Sequence, residues 1–378
     1  MRIGKQVHWY EGLFLQPHHL QMMQRYLSDV IVSDRHLSWP HPYGVVDYKI
    51  SEDELQNMRV RFEKLRVIMP SGVPVEFPGN ASLPALDIRE AFQAKPEALT
   101  VSLGIPLWYL DRANTVDSQS AEGDWWRVKC LYQVEETEIP DENTGMNARP
   151  MLVRKINARL LLQDSDKSDL EVLPLLRIRR STGENEGLPV LDAEFIPPCM
   201  VLKGSRSLYG LVKDLANQIE ASRSDLVNLL TRGGFQIDAL RGVQIEQMLR
   251  LVTLNRFSAR MPSLVEAPGT SPFEVYLQLG ELMGALAALQ PDTDPFSLPP
   301  YVHDDPAPVF RTLDETIRPM LRGVSATSFF KEAFLFEEET HAWITQLSDD
   351  DVALANEYFL AIKTRQDPVE VAKLAEDP

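Results

Sequence analysis

Residues 58–77 read MRVRFEKLRVIMPSGVPVEF, and their pattern decides how the first half of the chain folds. Met58, Val60 and Phe62 alternate with polar neighbours, the period of a β-strand with one buried and one wet face. Pro70, Ser71 and Gly72 supply turn chemistry, so the stretch reads as two strands joined in a hairpin. The same texture of short Val-, Ile-, Leu- and aromatic-rich runs, cut by Pro and Gly, extends from Gly44 onward through GVVDYKI, LTVSLGIPLWYL, WWRVKCLYQVEE, MLVRKINARLLL, LPLLRIRRS and LPVLDAEFIPP. Many short strands separated by turn signals predict a β-sandwich or a related barrel. The paired prolines of IPPCM, residues 196–200, interrupt helix and ladder alike and close this part near Pro198.

Helical periods lie on either side. After Pro17, the apolar positions Leu20, Met23, Leu27, Val30 and Ile31 predict a helix over about 17–34, with proline suited to its first turn. In residues 205–234, SRSLYGLVKDLANQIEASRSDLVNLLTRGG, the positions Leu208, Val212, Leu215, Ile219, Ser222, Leu226 and Leu229 alternate in spacings of four and three. That is a heptad seam with one polar interruption, and it faces either another helix of the same chain or a symmetry mate. A second helix is expected from about Ile237 to Met261, after the Arg232-Gly233-Gly234 break. A third opens with Ser271 as N-cap and Pro272 in the first turn, and its Gly280, Gly284 and Ala288 would let another helix approach closely.

A proline-rich join over 291–308 leads to a C-terminal part. There PVFRTLDETIRPML and DDDVALANEYFLAIKTR read as helices and SFFKEAFLFEEE as a strand or hairpin arm. The expected fold is therefore α+β and multidomain. It comprises an N-terminal segment and helix over 1–43, a β-sandwich over 44–198, a helical bundle over 199–298 and a small mixed α/β part over 299–378.

Composition narrows the function. The 378 residues exceed what one core usually supports. With 38 Lys and Arg against 55 Asp and Glu, the net charge of −17 disfavours nucleic acid and anionic lipid surfaces as main partners. No apolar run is long enough to span a bilayer, and MRIGKQVHWYEG lacks the apolar core of a secretory signal, so a cytoplasmic location is expected. The two cysteines, Cys130 and Cys199, are too few for a disulfide framework and read as reduced, buried thiols.

The search for chemistry finds little. There is no P-loop, dinucleotide fingerprint or nucleophile elbow. Five of the seven histidines, His8, His18, His19, His36 and His41, fall near the N-terminus, which raises a metal reading. Adjacent His18 and His19 diverge on a helix, however, so capping or packing roles are the simpler expectation. YVHDD at 301–305 offers Tyr301, His303, Asp304 and Asp305, suitable for ligation or acid/base work, yet its place between prolines favours turn and capping use. Trp125 and Trp126 open a strand-like run in which one indole packs inward and the other can anchor a contact. A metal-dependent hydrolase and a ligand-binding β-sandwich protein thus stay as alternatives to a structural adaptor. No cofactor is expected.

The segment EGLFLQPHHLQ, residues 11–21, places an apolar triplet beside a proline at a chain terminus, the mark of a docking element. Together with its flanks, HWYEGLFLQPHHLQMMQRY resembles the N-terminal signature of the TssK family, also called ImpJ or VasE, the baseplate subunits of bacterial type VI secretion systems. Trp9, Glu11, Gly12, Leu13, Phe14, Leu15, Pro17, His19 and Gln21 match that pattern. YVHDD resembles the family motif that follows the helical neck, and Trp343 with EYFLAIK continues it.

The resemblance implies a cytoplasmic, non-catalytic homotrimeric adaptor. It implies a shoulder like that of phage receptor-binding proteins, attached to the wedge proteins TssF and TssG, and a neck that trimerises, here through Leu208, Val212, Leu215, Ile219, Leu226 and Leu229. It also implies a head that docks on TssL and TssM of the inner-membrane complex with TssJ. The family continues past the equivalent of VAKLAEDP into a further β-containing portion, so the head is expected to be a short or truncated form.

Overall fold

The computed structural model describes residues 3–94, 98–117, 129–181, 187–232, 243–289, 294, 298–322 and 332–347. In chain order the strands are β1 (Gly44–Ile50), β2 (Arg59–Val60), β3 (Phe62–Ile68), β4 (Pro74–Phe77), β5 (Ala81–Ser82), β6 (Leu86–Asp87), β7 (Ala98–Pro106) and β8 (Thr115–Asp117). They continue with β9 (Tyr132–Ile139), β10 (Arg149–Asn157), β11 (Arg159–Leu162), β12 (Leu170–Arg180), β13 (Pro189–Leu191), β14 (Leu335–Glu337) and β15 (Ala342–Ile344). The helices are α1 (Pro17–Ser38), α2 (Glu52–Gln56), α3 (Arg89–Ala94), α4 (Arg206–Arg232), α5 (Val243–Glu266), α6 (Pro272–Ala287) and α7 (Ala307–Arg322). The chain is thus a mixed α and β protein with several sheets, as the strand and helix periods predict.

Among the described residues four sheets form the first part, with strand orders β1-β3-β4, β5-β10-β9-β8, β11-β7-β12-β13 and the two-stranded β2-β6. Pairing is antiparallel except for β5 with β10 and β8 with β9. Residues 58–77 become β2, β3 and β4, and residues 70–72 make the turn: Gly72 N–H donates to Met69 O, and Met69 N–H to Val73 O. Gly72 sits at φ +87, which only glycine takes without strain, and a Cβ there would run into Val32 of α1.

One detail of the alternation differs from expectation. Val60 and Phe62 are buried, but the next buried residues are Leu65, Val67 and Met69, so the period slips at Glu63. The pairing explains it: Ile50 faces Phe62 while Lys49 faces Lys64, leaving one extra residue on β3 and resetting which face points inward. Met58 takes φ +61 and is only half-buried.

Two apolar cores result. The strand core gathers Val45, Phe62, Leu65, Leu103, Leu173 and Ile178; the helical core gathers Leu208, Val212, Phe257, Leu279, Phe310 and Leu313. Here the heptad of α4 finds its partners. Leu208, Val212, Leu215 and Ile219 have no exposed surface at all, because they face the chain's own α5, α6 and α7. The upper four heptad positions are filled from within, so they are not a free seam for a symmetry mate. Leu226 is buried too, and the phase then drifts: Leu230 turns inward while Leu229 stays 55% exposed.

Two further expectations are corrected. The part expected to begin at 299 contains α7, yet Phe310, Leu313 and Ile317 of α7 are fully buried in the helical core. Apolar residues at spacings of three and four gave α7 a face that could bury only against α4 and α6. Arg250 Nη1 of α5 donates to Met320 O and fastens it. Among the described residues the glycines of the α6 stripe receive no close helix either: Gly280 faces the Leu298 side chain, and a Cβ on Gly284 would meet no other described side chain or strand. Ser271 and Pro272 do start α6, with Ser271 Oγ accepting from Glu274 N–H at 3.1 Å.

Both cores belong to one compact unit, Met1–Phe235 with Gln247–Arg322; a second unit comprises Gln236–Glu246 and Gly323–Pro378. In the second, β14 and β15 form a hairpin pairing Phe336 with Trp343, rings 5.5 Å apart. This is the hairpin arm expected within SFFKEAFLFEEE. The helix expected in DDDVALANEYFLAIKTR and the pair Trp125 and Trp126 lie outside the described residues.

Candidate partner-docking surface

The N-terminal segment runs extended from Ile3, turns at Tyr10 to Leu13, and enters α1. Leu13 N–H donates to Tyr10 O, and Gly12 occupies φ +84, a left-handed position suited to glycine. Pro17 then starts α1, and His19 Nδ1 accepts from the Gln16 N–H at 3.1 Å, satisfying a donor at the helix entrance. His19 therefore orients the turn. Trp9 lies beside it, ring centroids 6.3 Å apart.

The turn presents its apolar side chains outward. Phe14 is 80% exposed, and Trp9, Tyr10 and Leu15 each expose half or more of their surface. Glu11, Gly12, Pro17 and Gln21 are exposed as well, and Leu13 and His19 are half-buried. The nine candidate residues thus lie along the end of the extended segment, the turn and the first five residues of α1.

Sequence reasoning did not extend the site along α1. Leu20, Met23, Leu27 and Ile31 share a helical face, and each stays exposed, between 39% and 59%. Only Asp29 and Val32 are buried in α1. The helix is held by polar straps rather than by its apolar stripe. Asp29 Oδ2 accepts from Gly4 N–H at 3.2 Å, Arg35 Nη1 donates to Gly72 O, and Arg154 Nη2 donates to Gln24 Oε1. Arg25 also stacks over Trp108 at 4.1 Å. The apolar stripe of this amphipathic helix is thus exposed and makes it a candidate contact surface. The signal was visible in the period of 20, 23, 27 and 31, but period alone does not say whether a stripe turns inward.

The other candidate residues separate into structural roles. His36 Nδ1 bonds its own helix at Val32 O, while His41 lies against His303 at the far end of α1. Among the described residues no three His, Cys, Asp or Glu side chains come together as a metal site. Tyr301, His303 and Asp304 pack around the start of β1, and Asp305 N–H closes a turn onto Val302 O. Cys130 and Cys199 are free and buried, and burial pushes the Cys199 thiol well above its ordinary range. No described helix is long and apolar enough to cross a membrane.

Residues 19–376 match a family model described as bacterial type VI secretion, VC_A0110, EvfL, ImpJ, VasE. The chain belongs to this family. It is a family of structural components of the type VI secretion baseplate, not of enzymes. Among its relatives is the type VI secretion system baseplate component TssK1 of Pseudomonas aeruginosa, 24% identical over 327 residues that span 86% of this chain and 70% of that protein.

Solved structures share the fold. A chain of the TssK-TssF-TssG baseplate subcomplex matches with a TM-score of 0.73 at 20% identity, over 85% of this chain and 100% of that one. A crystal structure of TssK matches with a TM-score of 0.71 at 21% identity, over 85% of this chain and 70% of that one.

Proposed function

We propose that this type VI secretion family member is a homotrimeric baseplate adaptor that grips wedge proteins of the TssF and TssG kind through its N-terminal turn and the outer face of α1. The observation that carries this reading is the outward apolar set Trp9, Phe14 and Leu15, continued by Leu20, Met23, Leu27 and Ile31, on a turn and helix fixed by polar straps. Large aromatic and aliphatic side chains exposed on a rigid element are what an interface core is made of. The likeness to a chain from a TssK-TssF-TssG subcomplex supports the choice of partner class.

In this reading the strand-built part, 44–198, is a shoulder like that of phage receptor-binding proteins, and the helices after it form a neck. Leu208, Val212, Leu215, Ile219 and Leu226 hold that neck from within. Association between copies falls to exposed apolar positions such as Leu229 of α4 and Leu249 and Val252 of α5, which are 55%, 54% and 60% exposed. The C-terminal region serves as the head, docking on cytoplasmic parts of TssL and TssM, and the protein works in the cytoplasm at the inner-membrane face.

Co-expression of the full chain with its wedge proteins tests the reading. A trimer by light scattering that co-elutes with both wedge proteins is expected. A stable monomer that captures neither overturns it.

A further inference from the structure

The start of β1 is where the two apolar cores meet. Val45 N–H donates to Pro198 O, Met200 N–H to Val45 O, and Leu202 N–H to Thr270 O, so the chain leaving the strand core is stitched beside β1 before α4 begins. Into this joint reaches the segment preceding α7. His303, 5% exposed, stacks on His41 with ring centroids 4.7 Å apart and planes 8° from parallel. Its Nε2 lies 3.0 Å from Tyr43 O, and its Nδ1 lies 3.0 Å from Tyr301 Oη.

The partners fix the proton. A carbonyl oxygen only accepts, so Nε2 carries the hydrogen and Nδ1 accepts from the Tyr301 hydroxyl. His303 therefore uses both ring nitrogens as a neutral imidazole. A second proton, on Nδ1, would make both ring nitrogens donors and force the Tyr301 hydroxyl to reverse from donor to acceptor, so that its own hydrogen loses the Nδ1 acceptor. Two protonated rings stacked in parallel would also repel each other.

We propose that the His41 and His303 stack is a proton-operated latch between the strand core and the helical core, closed when both rings are neutral and released when they bind protons. This goes beyond the adaptor reading and does not depend on it. The groups facing the stack come from every side. Tyr43 enters β1, Cys199 lies between β13 and α4, and Tyr301 and Asp304 flank His303. From α6, Phe273 packs edge-on to His41 and Tyr276 against Tyr301; from α7, Phe310 packs on Tyr301.

Asp304 is the carboxylate that favours protonation of both rings, and it is exposed and already accepts from Tyr43 Oη. Burial dominates and holds both imidazoles below their ordinary 6.5, with the backbone bond to Tyr43 partly offsetting it at His303. The unfolded chain therefore binds more protons than the folded one just below pH 6.5. Stability contributed by the joint is full above that pH and falls as the pH drops from 6.5 towards the lowered folded values.

Amide hydrogen exchange on the full chain tests the latch. Corrected for intrinsic rates, segments around 39–45 and 299–305 are expected to exchange about tenfold faster near pH 5.5 than near pH 7.5, with the sheet interior at β7 unchanged. In the double variant His41→Phe, His303→Gln, which keeps a stacked ring and an amide donor but cannot titrate, the acceleration is expected to vanish. Should that variant not fold, imidazole C2-hydrogen exchange in the unmodified chain measures both rings directly. Equal joint exchange at the two pH values, acceleration retained in the double variant, or both imidazoles titrating at or above 6.5 would each overturn the proposal.

Discussion

Tyr43 and Asp304, 261 residues apart in the chain, are joined by a hydrogen bond in which the tyrosine Oη donates to the carboxylate Oδ1 at 2.8 Å. The bond links the entry of β1 to the segment that leads into α7. Burial, reinforced by this acceptor, raises the Tyr43 phenol far above its ordinary range, so it remains a donor at any physiological pH. Tyr43→Phe removes the donor but keeps the ring that packs edge-on to His303. A loss of about 0.5–1.5 kcal/mol is expected in chemical denaturation. No change would mean that water replaces the bond without cost.

Gly44, one residue further on, should tolerate no side chain. It sits at φ +118, and a Cβ would come within 2.6 Å of Pro198 O. Gly44→Ala is expected to cost at least about 1–3 kcal/mol from the backbone conformation alone. Thermal unfolding reads this, and an unchanged midpoint would show that the two cores are less tightly stitched there than the geometry indicates.

Burial separates two kinds of leucine in the neck helices. Leu215 has no exposed surface, so Leu215→Ala is expected to cost about 2–5 kcal/mol in unfolding experiments. Val252 and Leu249 lie on the outside of α5, so Val252→Asp and Leu249→Asp are expected to leave the unfolding midpoint nearly unchanged while reducing the proposed trimer to monomers in sedimentation. The reverse pattern would return the intersubunit seam to the α4 heptad.

Phe14→Asp addresses the docking surface. Because the ring is 80% exposed, its replacement should change stability by less than about 0.5 kcal/mol. Placing a charge in a desolvated contact should abolish co-elution with wedge proteins while the trimer persists. Ile31→Asp, about four helical turns into α1 and on its exposed apolar stripe, should weaken the same interaction. Unfolding of the strand-built part by Phe14→Asp would identify the segment as core instead.

Much of the fold was legible because it is encoded locally. The period-two stretch at 58–77, the turn at 70–72, the helix after Pro17 and the Ser271-Pro272 start of α6 all depend on residues within a few positions of one another. The candidate docking residues between Trp9 and Gln21 could be grouped from the sequence for the same reason: they lie close together along the chain. The slip at Glu63 was not, because it arises from an extra residue opposed to β1. Nor was the place of α7, since the prolines before it resemble a boundary whether or not the helix beyond folds back.

By itself the sequence determined which residues share a face: 208, 212, 215 and 219 on α4, and 20, 23, 27 and 31 on α1. Only the tertiary structure decided that the first face turns into the chain's own core and the second turns out. Both stripes are apolar and both repeat at helical spacing. Periodicity specifies a surface, whereas burial depends on what the rest of the chain brings against it, and among the described residues α1 is held by polar straps at Gly4, Gly72 and Arg154, by Arg25 over Trp108 and by the buried Val32, none of them on its exposed apolar stripe. The pairing of His41 with His303 belongs to the same class, since contacts between residues more than two hundred positions apart exist only once the two cores have closed on β1.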